Sequence, residues 1–315
     1  MVEQEHRPLM PDQFAMTKTA AAAVPPAPKA RGRKGMSPVF GLAAPASLFV
    51  LLALLGPLLL MFRYSLNRFV PGQMMVEALT LANYQKFFGD SFYQEVLFTT
   101  VWISAFSTFL CLLLGFPVAY YLVRQASERW KARLLILIIL PLLMGNAVRT
   151  AAWMVVLGDK GLFNAVIDLV GIAPVRIMYT PTAVVIGLVS VLLPFMIVTL
   201  QSVLEGIDRN LEDAAGSLGA SHGIVLRRVV LPLALPGLLA GTLLCFILSM
   251  NAYATPVLIG GPQFHMMAPT VYQQVAKVMN WPFGAALAFV LMAVTLILTT
   301  TANVLVQRHY RRWSE

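Results

Sequence analysis

Six long apolar runs constrain this chain more than any other feature: Val39–Phe62, Val96–Val123, Leu134–Leu157, Ala183–Leu204, Leu238–Ile259 and Ala285–Val306. Crossing the hydrocarbon core of a bilayer as a helix takes about 20 apolar residues, and each run is long enough. All 14 acidic residues fall between or outside the runs, as the cost of holding a carboxylate in hydrocarbon demands. Charged residues make up 12% of the 315, about half the share usual in soluble domains. The runs therefore predict an all-α membrane protein with six transmembrane helices. Pro45, Pro57, Pro117, Pro141 and Pro194 interrupt them. In a bundle such kinks are tolerated, because neighbouring groups satisfy the freed carbonyls.

The remaining composition narrows the function. The net charge of +9 is scattered between apolar runs, which fits membrane topology and not a nucleic-acid surface. Cys111 and Cys245 both lie inside runs, so no disulfide framework is expected. His6, His222, His265 and His309 are too dispersed for a metal site. Residues 1–38, rich in alanine, proline and basic side chains, are expected to form a disordered cytoplasmic tail. The run that follows is too long for a signal-peptide core, so it reads as an uncleaved first span, and residues 39–315 read as the membrane domain.

Lysine and arginine set the orientation. With the N-terminus inside, 16 of the 23 basic residues fall on the inner side, among them Arg31, Arg33, Arg124, Lys131, Arg209, Arg227, Arg228 and Arg308. The outer side holds Arg63, Arg68, Lys86, Arg149, Lys160, Arg176 and Lys277. Positive charge is retained on the cytoplasmic face, which puts both termini there together with the segment Glu205–Pro232.

That segment reads as two short helices joined by a turn. Asp208 is placed to cap the first and Gly219 to end it; Ser221 is placed to cap the second. Arg227 and Arg228 suit a helix C-terminus, and Pro232 and Pro236 are expected to redirect the chain into the fifth span. Ala214, Ala215, Gly216, Ser217, Gly219 and Ala220 give the first helix a slim face that a partner can approach closely. Glu212 and Asp213, adjacent on a helix, point about 100° apart.

The order Asp213-Ala214-Ala215, then Gly219, then Val229-Val230-Leu231-Pro232 resembles the EAA loop of type I ABC importer permeases. Asp213 stands where that family usually has Glu, and Val229 where it usually has Ile. The resemblance implies that the loop is a coupling helix seated in a cleft of a separate ATP-binding subunit, with Glu212, Asp213, Ala214, Ala215, Gly219, Leu231 and Pro232 as its residues. No Gly-Lys dipeptide occurs, so the chain has no phosphate loop of its own. It is thus expected to bind no cofactor, with ATP and Mg held by partner subunits.

The likeness extends over about residues 39–310 and leans toward the spermidine/putrescine branch. It is carried by VRTAAW (Val148–Trp153), GLFNAVIDLVG (Gly161–Gly171), NAYATPVLIGGP (Asn251–Pro262) and NWPFGAALA (Asn280–Ala288). Permeases for iron, thiamine, opines and phosphonates share parts of these stretches. The implied partners are a second, related permease subunit, two ATP-binding subunits and a periplasmic solute-binding protein, assembled in the bacterial inner membrane.

Within the spans, Asn146, Arg149, Asn251 and Tyr253 are candidates for the translocation path. Arg149 has an alternative reading as a snorkelling cation, and Asn251 and Tyr253 as helix-to-helix hydrogen-bonding groups. Trp153 and Trp281 read as interfacial anchors. Leu162, Val166, Ile167 and Val170 form a stripe expected to pack an external helix flat on the bundle. The spans offer no carboxylate for a dication. Selection is then delegated to the binding protein, or the partner permease supplies acids, or the solute is not a cation. An ion-coupled carrier would need intramembrane ionisable groups or inverted repeats, and neither is evident. A membrane-embedded enzyme would need a catalytic cluster, which is likewise absent from the sequence.

Overall fold

The computed structural model describes residues 38–73 and 75–314. Apart from Pro38, the expected N-terminal tail lies outside the described residues. The chain divides into two compact units, Met1–Ala53 and Leu54–Glu315; the first contributes the opening of helix α1 (Pro38–Ser65), and the second all that follows.

The described residues are helical, with one isolated bridge between Arg68 and Val76 and no strand. After α1 come the short α2 (Ala82–Gly89) and the long α3 (Ser91–Arg124), whose N-terminus is capped by the Asp90 carboxylate accepting from Phe92 N–H at 3.0 Å. Next are α4 (Glu128–Ile139), a 3₁₀ turn at Leu140–Leu143, α5 (Asn146–Leu157) and α6 (Leu162–Leu169). The central helix α7 (Pro181–Glu205) leads to α8 (Arg209–Ser217) and α9 (His222–Val225), then through a π turn into α10 (Leu231–Met250). The short α11 (Ala254–Ile259) and α12 (Met267–Tyr272) precede α13 (Trp281–Ser314).

Helix α7 is apolar all round and is the most enclosed element. Its Leu188, Leu192, Met196, Leu200 and Leu204 pack with Cys111, Ala119 and Leu122 of α3 and with Ala234 and Cys245 of α10. Lipid tails are as apolar as leucine, so shape and not water exclusion holds such helices together. Gly237 shows how: a Cβ built there would overlap the Val203 side chain, so α10 meets α7 backbone to side chain. A second core joins Tyr93 and Val96 of α3 to Met250, Met267, Phe283 and Leu287. Here the NWPFG stretch acquires a local explanation. Asn280 Oδ1 accepts from Phe283 N–H at 3.1 Å to start α13, and Gly284 lies against Val275.

Five described helices are long and apolar enough to cross a bilayer, and a bent pair raises the count to six if it makes one span. The first, second, fourth and sixth apolar runs each fall within one continuous helix. The run Leu134–Leu157, expected as one span, is broken: Glu128–Leu143 and Asn146–Leu169 meet at 101°. Pro141 cannot donate to a preceding turn and the chain tightens into 3₁₀ geometry there, with Met144 extended before Gly145. The run Leu238–Ile259 also differs, since its helix ends at Met250 and resumes as α11 only at Ala254.

The expected two-helix loop is corrected as well. Beyond His222 the chain does not turn at Pro232 and Pro236 but runs helically to Met250. The π turn at Leu226–Val230, closed by Leu231 N–H to Leu226 C=O, shifts the hydrogen-bond pattern just before Pro232, so the missing N–H does not end the helix. Ser221 occupies the cap position of α9, but its side chain makes no capping bond.

Candidate functional site

The first site lies where α7 ends. Asp208 Oδ1 accepts from Asn210 N–H at 2.9 Å, starting α8 as its sequence suggests. Glu212 faces inward from α8. Its Oε1 accepts from Arg124 Nε at 2.6 Å, and its Oε2 accepts from the Tyr120 hydroxyl at 3.0 Å. Arg124 Nη2 also donates to the Ile207 carbonyl at 3.0 Å. The Arg124 and Glu212 side chains are only 9% and 11% exposed, so this pair is far from the screened surface type. A second ion pair joins Lys131 of α4 to Glu205 at 2.5 Å.

The small residues of α8 divide by face. Ala215 packs against the main core, whereas Asp213, Ala214, Gly216 and Ser217 are exposed. The angular separation of Glu212 from Asp213 thus assigns them to different surroundings, one bound to α3 and one open. Gly219 has φ +84, which ends the helix in the left-handed region, and a Cβ built there would meet nothing within 4 Å. Leu231 and Pro232 are half-buried in the first turn of α10. Beside the Arg124–Glu212 contact a cavity of about 540 Å³ is lined from the end of α3, α8 and α9, with Arg124, Arg209, His222 and Asp213 among its lining.

The second site lies toward the opposite ends of α7 and α10. Asn146, Arg149, Asn251 and Tyr253 all line one cavity of about 560 Å³, together with Leu192 and Phe195 of α7. The four come together because of the two interruptions: Asn146 and Arg149 begin α5 just after the 101° break, and Asn251 and Tyr253 form the link between α10 and α11. Arg149 Nη1 donates to the Pro141 carbonyl at 2.9 Å, bridging the break, while its Nε is buried without a partner. Asn251 Nδ2 donates to the Ile247 carbonyl at 2.9 Å, and Tyr253 lies 4.9 Å from the Tyr272 ring. Arg149 is the one charged residue of the lining.

Three groups in these sites are not marked by the sequence. Arg124 enters the sequence reading only as a topology charge, and Tyr120 and the Thr150–Thr255 contact at 3.4 Å between α5 and α11 do not enter it. Arg124 and Glu212 are 88 residues apart, and no local pattern joins them. The expected stripe does not pack as a unit: Leu162, Val166 and Val170 are 65%, 60% and 72% exposed and Ile167 is half-buried, while Asn164 is buried on the inner face. Asn164 Nδ2 donates to the carbonyls of Asp159 and Val175, both at 3.1 Å, so polar anchoring and not apolar packing orients α6. Trp153 packs with the Leu157, Met178, Ala183 and Ile259 cluster.

The family described as binding-protein-dependent transport system inner membrane component matches residues 74–314. This chain belongs to that family. It is an inner-membrane component of a transport system and not an enzyme, in agreement with the resemblance its loop carries. It is 36% identical over 235 residues to the spermidine/putrescine transport system permease protein PotB of Haemophilus influenzae, covering 73% of this chain and 82% of that one. Against PotB of Escherichia coli K12 the identity is 36% over 217 residues, covering 68% and 78%. Among solved structures, a chain of a bacterial alginate ABC transporter in complex with an alginate pentasaccharide-bound periplasmic protein matches with a TM-score of 0.73 at 13% identity. That match covers 86% of this chain and 94% of that one and shows a shared fold.

Proposed function

We propose that this family member is the permease subunit of an ATP-driven importer of polyamines such as spermidine and putrescine. The observation that carries this reading is the 36% identity to PotB over 82% of that protein's length. In this reading the chain spans the membrane six times, with the bent pair as one span and both termini cytoplasmic. It pairs with a related second permease. Two ATP-binding subunits hold ATP and Mg, and a periplasmic binding protein delivers the solute.

The segment around α8 is then the coupling loop. Its open face, with Asp213, Ala214, Gly216 and Ser217 exposed, suits close seating in a cleft; Gly219 makes the turn that follows, and Leu231 and Pro232 begin α10. The cavity lined by Asn146, Arg149, Asn251 and Tyr253 is this chain's part of the translocation path, completed by the second permease.

A second reading, import of an anionic solute such as a phosphonate, is favoured by one observation: the cavity's charge is Arg149, with no carboxylate beside it. Reconstituting the full complex in liposomes and measuring ATP-dependent uptake of labelled spermidine, putrescine and a phosphonate separates the two. Saturable spermidine uptake supports the first reading, and phosphonate uptake without polyamine uptake refutes it.

A further inference from the structure

Of the two ion pairs among the described residues, Arg124–Glu212 fastens α8 to the end of α3, and Lys131–Glu205 fastens the end of α7 to α4. Glu212 of α8 is held twice by α3, through Arg124 Nε and the Tyr120 hydroxyl. Arg124 simultaneously grips the Ile207 carbonyl at the base of the loop, and Lys131 grips Glu205. From α8 toward α10, by contrast, the chain passes through the left-handed Gly219 and a π turn. The π turn shifts the backbone hydrogen-bond register inside the helical run that starts at His222. Side-chain bonds therefore tie α8 directly to α3, whereas toward α10 the chain passes through the turn at Gly219 and the helical run from His222.

We propose that Arg124 and Tyr120 are positioning residues that lock Glu212, so that α8 and α3 move as one lever. The proposal rests on the importer reading and refines it. Motion imposed on the open Asp213 face enters the bundle through Glu212 and α3, and α10 follows by packing. Covalent connection alone would suggest the reverse order, because α8 follows α7 and leads through α9 to α10 in sequence and meets α3 only in space. The lock works because its charges are nearly enclosed. Removing one partner leaves the other unpaired away from water, which is costly, whereas exchanging the two preserves the pairing.

The experiment uses the full complex with its ATP-binding subunits and binding protein. Arg124→Gln and Glu212→Arg are each expected to lower uptake about tenfold or more while ATP hydrolysis persists, so that solute moved per ATP falls. The double exchange Arg124→Glu with Glu212→Arg is expected to recover much of the loss, as coupling within a pair requires. Tyr120→Phe, which keeps the ring and the ion pair, should give a smaller loss. Spin labels on Ser217 and Gln125 provide a readout independent of the solute. Their separation should stay fixed between the ATP-bound and ATP-free states of the unaltered complex, and become variable in Arg124→Gln.

Solute moved per ATP unchanged in Arg124→Gln, or a label separation that changes with ATP in the unaltered complex, overturns the lever. If the complex takes up no polyamine, the solute reading fails alone, and the label distances still decide the lever.

Discussion

Asn164 and Val175 are joined by a reciprocal pair of hydrogen bonds: the side-chain amide donates to the Val175 carbonyl at 3.1 Å and accepts from its N–H at 3.0 Å. The pair fixes α6 against the strap that leads to α7. It also decides which way the helix faces, since Val166 and Leu162 lie about 200° around the axis from Asn164 and are turned outward.

Asn164→Ala should therefore destabilise the protein by about 1–3 kcal/mol, because it strands the Val175 N–H and several carbonyls. Asn164→Asp should be at least as damaging, since its carboxylate would face the carbonyls of Gly158, Asp159 and Val175. Thermal unfolding in detergent checks both. An Asp variant as stable as the unaltered chain would show that donation by the amide is dispensable.

The contrast between α6 and the long helices explains what the sequence could reveal. Runs such as Ala183–Leu204 are legible because in lipid their length and lack of charge leave one solution. The turn at Gly219 and the cap at Asp208 are legible because each depends on a few neighbouring residues. The α6 stripe misleads because apolar periodicity reports that one face differs from the other, not which face turns inward; Asn164 settles that through Val175, 11 residues on. The break after Pro141 is visible only as a proline, since a slight kink and a 101° bend share that signal. The Arg124–Glu212 pair is set by tertiary packing of α8 on α3, and each residue alone looks like an ordinary charge at the end of an apolar run.

Gly219 yields a prediction in which conformation and space are separable. With φ at +84 and nothing within 4 Å of a would-be Cβ, Gly219→Ala is opposed by backbone strain of about 1 kcal/mol and not by a clash. Gly219→Asn should cost less, because asparagine tolerates the left-handed region. A bulky residue such as Trp projects into open space, so in the coupling reading it blocks seating on the ATP-binding subunit. The chain should insert and remain folded, yet uptake should be abolished. Normal solute accumulation in Gly219→Trp would contradict the coupling role.

Gly237 and Val203 give a test of packing between α10 and α7. A methyl group at Gly237 overlaps Val203, and overpacking a tight contact costs about 1–3 kcal/mol. Gly237→Ala should lower the unfolding temperature, Val203→Ala should lower it modestly, and the double variant should lose much less than the sum of the two losses. Additive losses across the four proteins, measured by thermal unfolding, would mean that the helices are not in this contact.

Arg149 separates the two solute readings. Its Nη1 holds the Pro141 carbonyl, and its charge lines the cavity. At about 4 Å and an effective dielectric near 20, a like charge is opposed by about 4 kcal/mol, so a polycation passing this wall should prefer it neutral. Arg149→Gln should then leave spermidine uptake intact or lower its KM, while Arg149→Lys, which keeps the charge, should leave KM near its original value. For an anionic solute the order reverses: Gln loses uptake and Lys retains most of it. A purely structural Arg149, acting through Pro141 alone, predicts a third pattern, in which the unfolding temperature falls in both variants and KM moves in neither. Measuring KM and unfolding temperature for the same two proteins tells these apart, and a KM for spermidine that rises in Arg149→Gln but not in Arg149→Lys would count directly against a polyamine passing this cavity.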